Sequence, residues 1–149
     1  MENNIQTELE KYKKVTKTIY IGAIIAALAA AVISYIVTSS DMEPTNNTIF
    51  QSIAILMMLA VIPLSLKYYK KKFVEITEES SSSEKEKIRD ITKQYIIKTI
   101  ANLCVMQIIA FAYACTKDAS MLYCELIIGI VILFFCKPDQ LEINEEVQQ

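Results

Sequence analysis

The chain has 149 residues, enough for one domain, and 53% of them are apolar. Its 15 Lys and Arg stand against 17 Asp and Glu, a near-neutral balance that gives no reason to expect nucleic acid as a partner. With no His and only two Gly, it excludes His-ligated metals, His-dependent triads and glycine-rich phosphate loops, so neither an enzyme nor a bound cofactor is expected.

The apolar residues gather into four blocks, 18–38, 49–66, 95–115 and 119–136, and the charges lie almost wholly between them. Each block is close to the ~20 residues that a helix needs to cross a bilayer core. Lys13, Lys14 and Lys17 precede the first block, as in a signal peptide. Its apolar run exceeds the roughly 7–15 residues of such a leader, so it reads as a retained anchor. The pattern predicts an all-α fold: an integral membrane four-helix bundle in a single domain, 1–149, bound to a lipid bilayer.

Orientation follows from the basic residues. Fourteen of the 15 fall on segments 11–17, 67–98 and 137, which leaves Lys117 alone on the opposite side. The positive-inside rule therefore puts both termini and segment 67–94 in the cytoplasm. Loops 39–48 and 116–118 face outward. The short outer loops suit a bacterial inner membrane. Asn46–Asn47–Thr48 spells a glycosylation acceptor, but it abuts the second block and reads as incidental. Lys98 lies one turn inside the third block and is expected to snorkel to the cytoplasmic interface.

Segment 67–94 is charged like a loop but patterned like a helix. Ile55, Leu59, Ile62, Leu66, Tyr69, Phe73 and Ile76 recur at spacings of four and three. The series resumes with Ile88, Ile91, Tyr95, Lys98, Asn102, Val105 and Ile109. The two series mirror each other about Ser82, which predicts a cytoplasmic helical hairpin extending helices 2 and 3. The serine run 80–83 is its turn, with Ser83 and Glu86 as a capping box. The other reading of this stretch is a disordered charged linker. Residues 1–17 repeat the device through Ile5, Leu9, Tyr12, Thr16, Ile19, Ala23, Ala26 and Ala30, a cytoplasmic extension of the first helix. Thr7 and Glu10 stand in capping-box register near its start. The tail, 137–149, is expected to be flexible.

Three groups of residues are candidates for function. Gly22, Ala26, Ala30 and Ser34 form a small-residue file, the kind through which membrane helices pack. Glu125 is the sole acid within the blocks, about 9 Å below the outer end of the fourth helix at 1.5 Å per residue. A carboxyl at that depth needs hydrogen-bond partners, and Ser34, Tyr35, Ser52 and Tyr113 are at the right level. Asn102 could satisfy the Leu59 carbonyl that Pro63 leaves without its donor. Gln107 is expected to be similar polar glue in mid-membrane. Cys115 and Cys124 flank the outer turn, and a disulfide could join them.

These features point to a small membrane scaffold or accessory subunit that docks partners through its cytoplasmic stalk. The expected partner is a second copy or another membrane protein. A proton- or ion-coupled transporter using Glu125 is the main alternative. A membrane-active or immunity-type protein is another.

Overall fold

The computed structural model describes residues 2–40, 43, 48–78 and 83–138. The described part is all-α: α1 is Glu2–Thr38, α2 Thr48–Glu78, α3 Glu84–Thr116 and α4 Ala119–Phe135. Three helices are long and apolar enough to cross a membrane. The fourth, α4, has 17 residues, or about 25 Å, which is the short limit for a span. The expected fourth block ends at Cys136, but that residue is the helix cap. Asn46, Asn47, the serines at 80–82 and the tail beyond 138 lie outside the described residues.

The helices run up, down, up and down. At one end Thr38 of α1 meets Tyr113 of α3, and Gln51 of α2 donates to Asp118 at 3.0 Å. At the other end Tyr12, Ile88 and Ile91 form a small core, with Ile5, Phe73 and Ile76 packed against it. The hub is α3, against which the other three helices all pack. Its buried series, Ile88, Ile91, Tyr95, Lys98, Asn102, Val105 and Ile109, holds one heptad stripe along the helix.

Local chemistry sets the ends. Ser83 accepts from the Glu86 N–H, and the Glu86 carboxylate accepts from the Ser83 N–H, which satisfies two orphan donors of α3. Lys117 takes the left-handed conformation, at φ 51°, and ends α3. Asp118 then caps α4 by accepting from the Ser120 N–H at 2.8 Å. Two residues thus turn the chain from α3 into α4. At the far end of α4, Tyr20 donates to the Leu133 carbonyl and Tyr95 to the Cys136 carbonyl, each at 2.7 Å. These phenols take up carbonyls that a helix end leaves unbonded.

Two expectations about the seams change. The Thr7–Glu10 capping box does not form, because α1 already starts at Glu2 and both residues lie inside it. Leu59 is 61% exposed, while Ala54 and Met58 are the buried residues of that part of α2. Where every residue is apolar, hydrophobic pattern cannot choose the phase. Small Ala54 allows close approach to α3, and Leu59 is turned out. The helix continues through Pro63, whose side chain is exposed.

Candidate functional site

Two polar levels stand out in a largely apolar interior. The first surrounds Glu125, which is only 4% exposed. Ser34 of α1 donates to its Oε2 at 2.7 Å. Its Oε1 is buried and has no hydrogen-bond partner among the described residues. Of the other expected partners, Tyr35 is 74% exposed, Ser52 is exposed, and Tyr113 bonds Thr38 instead. Above Glu125 the ends are tied together: the Lys117 amine donates to the Ser40 carbonyl and Gln51 donates to Asp118. The Ser120 hydroxyl and backbone N–H hold the Asp118 carboxyl below the usual carboxylate range.

The second level surrounds Lys98, which does not snorkel. It is 3% exposed, and its amine lies 3.8 Å from the centre of the Tyr69 ring and 5.1 Å from that of Tyr95. Those distances are cation–π range, and aromatic faces are what a desolvated ammonium can use in an apolar interior. Its position on the α3 heptad stripe explains the burial: a residue between Tyr95 and Asn102 in that register must point inward. The stripe was itself the signal for this, since Tyr69 and Tyr95 face each other across the α2–α3 pair.

Asn102 belongs to the same level and is fully buried. Its amide donates to Ser65 Oγ at 3.0 Å and to the Lys98 carbonyl at 2.8 Å. The expected bond to Leu59 is not made, because Asn102 sits level with Ser65, six residues or about 9 Å along α2 from Leu59. Its Oδ1 is buried without a partner.

The remaining candidates separate. Ala30 and Ser34 are buried and Ala26 is half-buried, but Gly22 is exposed. A Cβ added to Gly22 would meet nothing within 4 Å, so no close approach requires the glycine. Gln107 is exposed on the outer face of α3 and makes no hydrogen bond with another side chain among the described residues. Cys115 and Cys124 are free thiols. Cys115 is near the end of α3 and Cys124 is well inside α4, an axial offset of about 6 Å.

Between the two polar levels the core is apolar: Ala23, Ala30, Val105, Met106, Ile109, Ile128 and Ile132 are buried in one cluster. Among the described residues, no three of His, Cys, Asp and Glu are grouped to hold a metal ion. On its lateral side Glu125 lines a groove of about 260 Å³ between α1 and α4. No protein-family model, no curated protein and no solved structure matches this chain.

Proposed function

We propose that this is a small multi-pass membrane protein, a non-catalytic scaffold or accessory subunit that docks partners through a cytoplasmic stalk. In this reading all four helices span the bilayer and both termini are cytoplasmic, in a bacterial inner membrane. The belt of outward apolar side chains supports the membrane placement. Ile25, Leu28, Val32, Leu56, Leu64, Phe111, Leu126 and Phe134 are all more than half exposed. An apolar surface of that extent marks a lipid or protein contact. The stalk is the end where Ile5, Tyr12, Phe73, Ile76, Ile88 and Ile91 pack together. Its outer surface carries exposed Lys13, Lys70, Lys71, Lys85 and Arg89 among exposed Glu10, Glu75, Glu78, Glu84 and Glu86, a mixed-charge surface suited to polar contacts with a partner.

One observation favours the scaffold over a carrier. The buried ionisable groups, Glu125 and Lys98, are separated by the apolar cluster of Val105, Met106, Ile109 and Ile128. A proton or ion path needs polar groups or water along its length. The carrier reading therefore demands an opening of that cluster.

Topology is tested by single-cysteine labelling of intact cells in a background without the native cysteines. Glu43→Cys and Ser120→Cys should label from outside, and Lys85→Cys should not. Partner docking is tested by native mass spectrometry of detergent extracts. The wild type should co-purify with a second protein, and Lys70→Glu with Lys71→Glu should release it. Proton-coupled flux in proteoliposomes that Glu125→Gln abolishes would replace the scaffold reading with the carrier.

A further inference from the structure

We propose that the groove between α1 and α4 is the contact face of a homodimer, in which the second copy's Tyr35 completes the hydrogen bonding of Glu125. The proposal rests on the membrane reading above.

The groove is built as a hollow with raised edges. Ala27, Ala31 and Gly129 line its floor, and Leu28 and Leu126 stand at its edges, 62% and 58% exposed. A Cβ on Gly129 would meet nothing within 4 Å. Packing within the chain thus does not use the space that the glycine leaves. Low floors of small residues are what let one membrane helix approach another closely.

An unmet chemical demand borders the groove, and the carboxyl must turn about its last bond to present its enclosed Oε1 to a donor there. Glu125 lines it, is nine-tenths buried, and has Oε1 without a partner among the described residues. Lipid tails carry no hydrogen-bond donor. Headgroup donors are about 9 Å away, six residues up α4. A protein side chain is the donor that fits this depth.

Tyr35 supplies one. It follows Ser34, which touches Glu125, so its depth matches within about 1.5 Å. It shares a helical stripe with Leu28 and Ala31, at spacings of seven and four, and therefore faces out on the groove side of α1. Its side chain is 74% exposed, and its hydroxyl makes no hydrogen bond among the described residues. Helical side chains lean toward their own N-terminus. Tyr35 on rising α1 and Glu125 on descending α4 therefore lean toward each other's level. A two-fold axis along the membrane normal joins equal depths, so each copy's Leu28 edge and phenol enter the other's groove.

The test uses the full-length chain in lipid vesicles, with the native cysteines replaced by alanine. Ala31→Cys should give a disulfide-linked dimer on mild oxidation, and Gln107→Cys, on the outer face of α3, should not. Energy transfer between labelled copies should show a dimer that Gly129→Leu abolishes while helicity and thermal midpoint hold. If Gly129→Leu fails to fold, Ala31→Leu, at an exposed position, fills the same hollow. Tyr35→Phe and Glu125→Leu should each weaken dimerisation about three- to fifteen-fold, the range for interhelical hydrogen bonds in membranes. The double variant should be no worse than the poorer single one. A monomer at all concentrations, additive losses, or equal crosslinking at Gln107 would overturn the dimer. So would a monomer that retains a lipid which Gly129→Leu expels. Release of the wild type from membranes by alkaline carbonate would instead sink the membrane reading itself.

Discussion

Ile91→Ala tests whether the stalk is a packed unit with its own core. Ile91 is 4% exposed and belongs to the cluster with Tyr12 and Ile88, backed by Phe73 and Ile76. The substitution removes three carbons, worth about 2.4 kcal/mol at ~0.8 kcal/mol per buried methylene. A cavity contribution would add to this, but the cluster is small and open at its edge, so it can partly collapse. A total of about 2.5 kcal/mol, the lower part of the range for buried Ile→Ala, is expected. At about 1.4 kcal/mol per tenfold, amide exchange across 84–94 should speed up roughly 60-fold. Exchange over 103–113, in the apolar part of α3, should stay unchanged. Lys93→Ala is the control, since Lys93 is exposed and paired with Asp90 at 3.0 Å, a surface contact of little value. The reasoning fails if Ile91→Ala and Lys93→Ala accelerate exchange equally, or if residues 103–113 open together with the stalk.

Three further outcomes follow from the polar levels. Ser34→Ala should cost about 1–3 kcal/mol in detergent thermal unfolding, because it removes the hydrogen bond that Glu125 receives within the described residues of the chain. Glu125→Gln should be nearly neutral, since the amide carbonyl accepts the same bond; equal losses would refute the assignment. Tyr69→Leu should destabilise the wild type by up to about 2 kcal/mol more than it destabilises a Lys98→Met background, and zero coupling would remove the cation–π contact from the account. Asp118 gives a pH dependence. Its carboxyl is held low in the folded chain, so the unfolded chain binds the proton more readily. Its contribution is therefore present above the ordinary carboxylate range and is lost as pH falls from that range through the lower pKa of the folded chain. Asp118→Asn should flatten that arm of the profile of thermal midpoint against pH.

Helix number and type were legible in the sequence because four apolar blocks of spanning length leave little else to form. The phase of α3 was legible too, since its charged half leaves few residues that can be buried. Ile88 and Ile91 fix that phase, and the same register carries Lys98 inward. The charge of Lys98 argued for snorkelling, yet its place on the stripe decided the outcome. In α2, by contrast, the apolar half offered no contrast between faces, and Leu59 was wrongly placed inside. Gly22 failed for a related reason: a file of small residues covers more of the helix than one neighbour can bury. Glu125 was found by its rarity, and Ser34 by depth. The groove beside it was not legible, because a gap between two helices leaves no mark on either one alone.

On the membrane reading proposed above, the two-residue turn at Lys117 and Asp118 has a consequence for how the chain enters a bilayer. α3 is the least apolar of the three long helices, and Lys98, Thr99 and Asn102 raise its cost of insertion, for polar and charged residues oppose partitioning. The α4 segment, ASMLYCELIIGIVILFF, holds a single charged residue and partitions readily. So tight a link forces the two to enter as one hairpin, with the later-synthesised helix drawing in the earlier. Lengthening the turn with a flexible insert would uncouple them. The third helix would then be left at the membrane surface although its own sequence is unchanged.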